Sequence, residues 1–314
     1  MEAPNDRIEM KVAERHSLTP EIMEFTLEPA TGSALPAFTP GAHITVETPD
    51  GAMRRYSLLN DGTDPSAYVI AVKRERNSRG GSASMHEQAQ EGTALFIEAP
   101  ENDFELVDSA KYILIAGGIG VTPILSMARH LSREGKPFTI VYCTRTAADT
   151  AYLDEISAFK GATVHHDEGD IDQAYDFWDL LEKPGTEHVY CCGPFGLMEE
   201  IKALTGHWPD GRVHFEEFSP VSVVRDDDVA FNVTLKSKGQ TIEVPADRSI
   251  LEALRDAGVQ TVSSCESGTC GTCKCALIEG EADHRDLVLM DEEKADHIMI
   301  CVSRAKTGDL TIDL

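Results

Sequence analysis

Four cysteines near the end of the chain have the spacing of ligands to an iron-sulfur cluster. Cys265, Cys270 and Cys273 follow one another as C-x4-C-x2-C, and Cys301 comes in a later segment. This is the plant-type spacing, in which four thiolates converge on the irons of a 2Fe-2S cluster. A zinc site, which favours paired C-x2-C knuckles, and a set of buried thiols are the alternatives. The x4 spacing and the two glycines inside the run favour the cluster.

Cys275 lies two residues beyond this run, on a predicted strand from Lys274 to Ile278. Its position does not fit the ligand spacing. We predict that it is a small, buried core residue and that it does not bind the cluster.

A second group of side chains with chemical potential lies at the end of a strand in the first third of the chain. Arg55, Tyr56 and Ser57 combine a cation, an aromatic ring and a hydroxyl group, and Gly81 and Ser82 follow. Arg55 would neutralise a phosphate, Tyr56 would cover a flat ring and Ser57 would bond to a ring nitrogen. The glycine and the second serine would donate N-H and O-H groups to phosphate. Taken alone, these residues also fit a solvated strand end, so both interpretations stay open here.

Glycines after an apolar strand predict an anion site in the middle of the chain. Gly117, Gly118 and Gly120 precede a helical pattern, with Thr122 as the predicted N-cap and Pro123 at the first helical position. Their spacing differs from G-x-G-x-x-G, but the helix N-terminus still favours a pyrophosphate. A plain strand-to-helix turn is the alternative.

Cys192, Gly193 and Pro194 end another predicted strand. The glycine and proline would let a ring approach the backbone closely. Cys192 fits a nicotinamide contact and a small core thiol equally well. Cys191, one position earlier, should face the opposite side of the sheet and belong to the core.

Three segments must position these groups. Residues 5–104 alternate apolar and polar side chains between turns, which predicts an antiparallel β-barrel or sandwich. Residues 111–218 alternate strands with helices, which predicts a doubly wound parallel α/β domain. Residues 229–314 read strand, turn, strand, helix and cysteine loop, which is a β-grasp layout. The polar and acidic stretch from Ser219 to Asp228 is the predicted linker.

These motifs, in this order, resemble the phthalate dioxygenase reductase family within the ferredoxin-NADP reductase superfamily. The likeness runs from Arg7 to Leu314. Arg55 to Leu58 looks like the flavin motif of the family, and Gly117 to Pro123 with Cys192 to Pro194 look like its pyridine-nucleotide motifs. The cysteine loop looks like its C-terminal ferredoxin domain.

The resemblance implies an FMN site between the barrel and the nucleotide domain. The residues it assigns to FMN are Arg55, Tyr56, Ser57, Lys73, Gly80, Gly81, Ser82, Thr122 and Phe218. The residues it assigns to NADH are Gly117, Gly118, Gly120, Arg145, Cys192, Gly193 and Pro194. Ser57, Thr122 and Cys192 would align the nicotinamide with the flavin and are the expected catalytic residues. FMN is favoured over FAD because residues 80–82 lead directly into 85–87, without an extra loop for an adenine.

The family also implies an acceptor, which is a multicomponent oxygenase, commonly of the Rieske non-haem iron type. Another hydroxylase as acceptor, and a redox sensor without enzymatic activity, are the alternatives. NADH should be preferred over NADPH, because Asp167 and Glu168 would repel a 2′-phosphate and residues 145–149 offer no basic pair.

The composition limits the partners. With 28 Lys and Arg against 54 Asp and Glu, the formal net charge of -26 disfavours nucleic-acid binding and favours a partner with a basic face. Met1 to Asp6 do not resemble a signal peptide, and no apolar stretch approaches the roughly 20 residues of a membrane span. We therefore expect a cytoplasmic protein, in which the eight cysteines suit metal binding or catalysis. The histidines are interpreted as bystanders.

Overall fold

The computed structural model describes residues 7–75, 80–218, 225, 227–263, 268, 271–286 and 288–314. The chain divides into two compact units, Met1–Phe218 and Ser219–Leu314. The first unit contains an antiparallel and a parallel sheet, and the second contains a mixed sheet. Within the described ranges, no helix has the length and apolar character needed to cross a membrane.

Six antiparallel strands form the first part of the first unit. The strands are β1 Ile8–Ser17, β2 Ile22–Pro29, β3 His43–Glu47, β4 Met53–Ser57, β5 Tyr68–Lys73 and β6 Ala94–Ile97. Their order is β4-β3-β6-β1-β2-β5, and helix α1, Gly81–Gln88, lies between β5 and β6 in the chain. Alternate residues such as Met10, Val12 and Phe25 point into one apolar core. The predicted antiparallel β-barrel class is confirmed.

Five parallel strands form the second part of this unit. The strands are β7 Tyr112–Gly117, β8 Phe138–Thr144, β9 Ala162–His166, β10 His188–Cys192 and β11 Val213–Glu216. The helices are α2 Val121–Arg133, α3 Leu153–Ala158, α4 Trp178–Leu181 and α5 Phe195–Thr205. In the order β11-β10-β7-β8-β9, β8 and β9 follow on one side of β7, and β10 and β11 on the other. The direction in which strands are added therefore switches between β7 and β10. Such a switch point opens a crevice at the carboxyl ends of the strands, where ligands of doubly wound sheets bind.

Helix α2 begins two residues earlier than the sequence predicts. Gly118–Gly120 form a 3-10 turn, and Val121 is the first residue of α2. Thr122 therefore lies inside the helix, where its Oγ1 donates a hydrogen bond to the carbonyl oxygen of Ile119 at 3.1 Å. The prediction of Thr122 as the N-cap was wrong. The first glycine of the turn, at φ 53, lets the chain begin to wind before the threonine is reached.

The barrel and the parallel sheet share a hydrophobic core. Ile22, Leu59 and Ala71 of the barrel belong to the same buried cluster as Ile124 and Ala128 of α2. Burial of apolar surface therefore stabilises the contact between the two parts of the first unit.

The described part of the second unit contains a five-stranded sheet and an α-helix. Its elements are β12 Phe231–Leu235, β13 Gln240–Val244, α6 Ile250–Asp256, β14 Lys274–Asp283, β15 His297–Met299 and β16 Arg304–Asp313, in the sheet order β13-β12-β16-β14-β15. A capping box begins α6: Ser249 Oγ accepts from the N-H of Glu252, and the Glu252 carboxylate accepts from the N-H of Ser249. The β-grasp layout predicted for this segment is present.

Asp228 belongs to this second unit, although the sequence assigned it to the linker. Its carboxylate accepts hydrogen bonds from Nη1 and Nη2 of Arg285 at 2.8 and 2.5 Å. Nε of the buried Arg304 lies 3.4 Å from the same carboxylate. The hydrogen bonds from Arg285 lower the pKa of Asp228 to about 2, so the carboxylate stays charged between two buried cations.

Candidate functional site

The two glycine-containing loops meet at the switch point of the parallel sheet. β7 and β10 are adjacent, with Cys192 paired to Ala116. A Cβ added at Gly120 would lie 2.3 Å from the carbonyl oxygen of Cys192, and one at Gly193 would lie 3.0 Å from the backbone nitrogen of Gly117. Side chains would therefore push the loops apart, so only glycine allows this approach. The structure brings together the two loops that the sequence assigned to the nucleotide.

Cys191 and Cys192 face opposite sides of the sheet, as predicted. Cys191 packs in the cluster that contains Met198, and Cys192 packs in the cluster that contains Tyr190. Both thiols are fully buried. Burial raises the pKa of Cys191 to about 12 and holds the pKa of Cys192 well above its usual range. Cys192 is therefore a neutral thiol whose side chain packs in the core next to the switch point.

Ser57 supplies a buried hydroxyl group at the end of β4. The residue is only 4% exposed, and its Oγ has no hydrogen-bond partner within the part of the chain that the structure describes. Leaving a buried hydroxyl unpaired costs about 1 to 3 kcal/mol. Such an atom is expected where a bound molecule completes the hydrogen bond.

Glu216 is a site residue that the sequence analysis did not single out. It ends β11, directly beside Cys192 of β10. The residue is half-buried, but its Oε2 is buried and has no partner among the described residues. Burial raises the pKa of Glu216 to about 8, with a lowering influence from Arg55 and a raising one from Asp103. Arg55 lowers this pKa because its charge on β4 of the barrel lies near Glu216 at the carboxyl edge of the parallel sheet.

Two consecutive arginines of β4 have different surroundings. Arg55, the predicted phosphate ligand, donates from Nη2 to Asp103 at 2.5 Å and from Nε to His43 at 2.6 Å. Arg54 lies instead beside the glycine loop: a Cβ added at Gly81 would be 3.1 Å from its Nε. Consecutive side chains of a strand point to opposite faces of the sheet. This alternation could have shown from the sequence that Arg54 and Arg55 have different surroundings.

The glycine loop opens helix α1. Gly80, at φ 111, occupies the N-cap and provides no side chain to cap the first turn. Ser82 Oγ accepts a hydrogen bond from the N-H of Glu75 at 3.1 Å, and Lys73 pairs with Glu75 at 3.0 Å. Tyr56 packs against the barrel core, and burial raises its pKa. A cation, a helix N-terminus and an aromatic ring therefore flank one end of the barrel.

The carboxyl end of β8 lies beside Arg145, which the sequence analysis assigned to NADH, and beside the two acids expected to disfavour NADPH. Arg145 is exposed, and its carbonyl oxygen accepts a hydrogen bond from the N-H of Glu168 at 2.8 Å. The N-H of Asp167 bonds to the carbonyl oxygen of Thr144 at 3.2 Å. Glu168 adopts a left-handed backbone at φ 51. Backbone hydrogen bonds thus hold both acids against the end of β8.

Other predicted site residues lie at the edges of these loops. Thr122 is buried in the first turn of α2, Pro194 is the N-cap of α5, and Phe218 is 36% exposed just beyond β11. Thr122 and Pro194 therefore lie at the N-terminal ends of the two helices that follow the glycine-containing loops.

Two of the four predicted cluster ligands are described in the second unit. Cys273 and Cys301 are both buried, whereas Cys265 and Cys270 lie outside the described residues. Cys275 is buried in the same core, where burial raises its pKa to about 12. That environment suits the core thiol predicted for it.

The cluster loop depends on glycine. Gly268 and Gly271 both have φ +79, and a Cβ added at Gly268 would lie 2.8 Å from Cγ2 of Val302. Gly268 therefore packs directly against the residue that follows Cys301. Buried thiols beside a tight glycine loop fit a 2Fe-2S cluster.

The barrel site likewise fits a flavin. The unpaired hydroxyl of Ser57 suits a polar ring edge, and Arg54 with the start of α1 suits a phosphate. The glycine contact between Gly120 and Cys192 suits a nicotinamide beside that ring.

Comparison with known proteins agrees with these sites. The family model for the 2Fe-2S iron-sulfur cluster binding domain matches residues 233–306, and that for the oxidoreductase NAD-binding domain matches residues 114–203. The chain is 49% identical over 98% of its length to phthalate dioxygenase reductase of Burkholderia cepacia, covering 97% of that protein. It is 48% identical over 97% of its length to the phthalate 4,5-dioxygenase oxygenase reductase subunit of Pseudomonas putida, covering 96% of that subunit.

A solved structure of phthalate dioxygenase reductase, described as a modular structure for electron transfer from pyridine nucleotides to [2Fe-2S], has a TM-score of 0.87 at 48% identity. The match covers 98% of each chain. The chain belongs to the phthalate dioxygenase reductase family, and it is an oxidoreductase whose cofactors are FMN, a 2Fe-2S cluster and NADH.

Proposed function

We propose that this protein is the reductase component of an oxygenase system, which takes electrons from NADH and delivers them to a Rieske-type non-haem iron oxygenase. The observation that carries the proposal is the buried, unpaired hydroxyl of Ser57 in the same compact unit as the switch point where Gly120 abuts Cys192. Bound FMN would supply the chemistry that converts the two-electron hydride of NADH into single electrons for the 2Fe-2S cluster.

The catalytic residues act by positioning. Ser57 would donate a hydrogen bond to the edge of the flavin ring, and Thr122 would approach that ring from the first turn of α2. Cys192 would support the nicotinamide with a neutral thiol. Alignment of the reacting atoms at about 3 to 3.5 Å is worth several orders of magnitude in rate. Hydride transfer needs no side-chain acid, base or nucleophile, so these residues serve orientation and exclusion of water.

We assign the FMN phosphate to Arg54, which lies beside Gly81, and to the N-terminus of α1. Arg55 is engaged with Asp103 and His43 and would act on the ring side of the site. The remaining residues assigned to FMN are Tyr56, Lys73, Gly80, Ser82 and Phe218.

NADH would bind across the switch point. The residues assigned to it are Gly117, Gly118, Gly120, Arg145, Cys192, Gly193 and Pro194. The positions of Asp167 and Glu168 at the end of β8 support a preference for NADH over NADPH. Both carboxylates would face the extra phosphate of NADPH.

The cluster ligands we propose are Cys265, Cys270, Cys273 and Cys301. We also propose three domains, with the FMN-binding barrel at residues 5–104, the NADH-binding domain at 111–218 and the ferredoxin domain at 229–314. The division of the chain after Phe218 supports the second boundary.

The acceptor is inferred from the relatives and from charge. Two of the similar proteins are reductase subunits of a named dioxygenase system and a named monooxygenase system. The net charge of -26 favours an acceptor with a basic docking face. We propose a cytoplasmic location, where a reducing environment keeps cysteine thiols available to the cluster.

Removing the second unit tests this order of electron flow. A chain ended between Phe218 and Arg225 retains every residue proposed for NADH and FMN. It should keep its flavin and reduce ferricyanide with NADH at a rate close to that of the whole protein. It should lose nearly all reduction of cytochrome c and of the oxygenase, because the cluster is missing.

The comparison uses the whole protein as control, with the oxygenase encoded beside it and oxidised aromatic product as the readout. A truncated protein that drives the oxygenase at the full rate would show that the cluster is not on the path. Steady NADH turnover by the whole protein without transfer to any Rieske oxygenase would favour a different hydroxylase. Absence of turnover with every acceptor would favour a redox sensor.

A further inference from the structure

A polar clamp joins helix α2 to the barrel. Arg129 of α2 donates from Nε and Nη2 to the two carboxylate oxygens of Glu155, each at 2.7 Å. Its Nη1 donates to the carbonyl oxygen of Leu59 at 2.7 Å. All three nitrogens of the guanidinium are engaged, and a planar group held at three points has a fixed orientation. Because Leu59 belongs to the barrel, Arg129 ties α2 to the barrel backbone.

Tyr152 provides a second contact across the same boundary. Its hydroxyl donates to Oε2 of Glu24 in β2 at 2.6 Å, and its ring lies 5.7 Å from the Arg129 guanidinium. The residue has φ 58 and ψ 25, a left-handed conformation that bulky side chains rarely adopt. Such strain persists only where the surrounding contacts hold it in place. The contacts with Glu24 and Arg129 account for it.

The boundary beside this clamp is not filled by side chains. A cavity of about 240 Å³ is lined by Arg129 and Ser126 of α2 and by Phe38 and Gly62 of the barrel. Close packing therefore does not fix the spacing along this stretch of the boundary. Along this stretch the hydrogen bonds of the clamp add to the apolar contacts among Leu59, Ile124 and Ala128 in fixing the boundary.

We propose that Arg129, supported by Tyr152, is a positioning residue that fixes the separation between Thr122 and Ser57. α2 runs without a break from Thr122 to Arg129, a rigid rod of about 10 Å. Leu59, which anchors the far end of that rod, is two residues beyond Ser57. The inference rests on the proposed function, in which Thr122 and Ser57 align the nicotinamide with the flavin.

The consequence is kinetic. Misplacement of reacting groups by about 1 Å can cost a hundredfold in rate, even when the changed residue is far from the chemistry. Loosening the clamp should therefore slow hydride transfer while NADH and FMN still bind.

The test compares Arg129→Met and Tyr152→Phe with Arg133→Met as the matched control. Arg133 lies one turn further along α2 and pairs with Asp61 of the barrel, but this pair is exposed. Stopped-flow bleaching of the flavin is followed in the holoenzyme with NADH and with NADH deuterated at C4. Arg129→Met should slow hydride transfer at least tenfold, with the NADH Kd and FMN content within about threefold of wild type. Tyr152→Phe should slow it less, and Arg133→Met should stay within about twofold.

Hydrogen exchange of the same proteins gives a readout apart from activity. Peptides that contain Leu59, and those that contain residues 117–122, should exchange faster in Arg129→Met but not in Arg133→Met. A lower Tm in Arg129→Met with an unchanged hydride-transfer rate and isotope effect would overturn the proposal, because the residue would then be merely structural. If Arg129→Met does not retain FMN, Tyr152→Phe decides: an unchanged rate overturns the proposal.

Failure of the proposed function looks different in this experiment. In that case the wild-type flavin is not reduced by NADH at all. If the wild type is reduced and Arg129→Met matches it, only the positioning role fails.

Discussion

Cys192 and Glu216 lie side by side at the carboxyl ends of the paired parallel strands β10 and β11. The fully buried thiol cannot solvate a charge on its neighbour, and Oε2 of Glu216 has no hydrogen-bond partner in the described ranges. The pKa of Glu216 is therefore raised, chiefly by burial, to about 8. At neutral pH this carboxyl group holds a proton beside the switch point of the parallel sheet.

This raised pKa makes the stability of the first unit depend on pH. The ordinary pKa of a glutamate is 4.5, so between about pH 4.5 and 8 the folded state keeps a proton that the unfolded state has lost. Stability should therefore fall as pH rises across this window, by at most about 1.4 kcal/mol per pH unit, and then level off. Glu216→Gln removes the titration, so its free energy of unfolding should gain on wild type from pH 5 to pH 8.

Urea unfolding of the flavin-free protein, followed by tryptophan fluorescence, measures this difference. Both tryptophans, Trp178 and Trp208, lie in the first unit, so the signal reports that unit alone. Glu217→Gln removes the same charge one residue later and serves as the control. A gap between Glu216→Gln and wild type that stays constant from pH 5 to pH 8 would contradict the assignment.

Arg54 and Arg55 should have separable effects on FMN binding. Arg54→Gln removes the cation beside Gly81, and a hydrogen bond to a charged phosphate is worth about 1.5 to 3 kcal/mol. FMN should then bind at least about tenfold more weakly, as measured by quenching of flavin fluorescence. Arg55→Gln is the matched variant and should weaken FMN binding less. If Arg55→Gln weakens FMN binding more than Arg54→Gln does, Arg55 and not Arg54 binds the phosphate.

Cluster assembly should distinguish Cys301 from Cys275. Serine at Cys275 replaces one small buried core group with another and should leave iron content and visible absorbance near wild type. Serine at Cys301 removes one of the four spaced ligands and should abolish most of both. Iron analysis and visible spectra of the two purified variants make the comparison. Loss of the cluster in Cys275→Ser, with Cys301→Ser intact, is the result that would refute the ligand set.

The acids at the end of β8 should set the choice of coenzyme. A carboxylate facing the 2′-phosphate costs several kcal/mol of specificity, so kcat/KM should favour NADH by at least about tenfold. Replacing Asp167 with Ser and Glu168 with Lys should shrink this ratio by about tenfold. Asp172→Asn, in the same loop, controls for the loss of a negative charge. Equal efficiency of the wild type with both coenzymes would refute the preference.

The sequence predicted most elements of this fold because local patterns determine them. β3, β5 and β10 are stretches of alternating or continuous apolar residues, which are visible as strands in the sequence itself. The capping box at Ser249 and Glu252 is likewise a local feature, since it depends only on residues three positions apart. The start of α2 was missed because consecutive glycines give no side-chain signal for where helical winding begins.

The same distinction applies to the sites. The spacing of the cysteines and the glycines beside Cys192 are local features, so the sequence alone determined the chemistry of each centre. The raised pKa of Glu216 and the roles of Arg54 and Arg129 were decided only by the tertiary structure. Burial, and contacts between residues distant in sequence, arise when the barrel packs against α2 and the parallel sheet. No single segment contains the partner that gives these three side chains their environment.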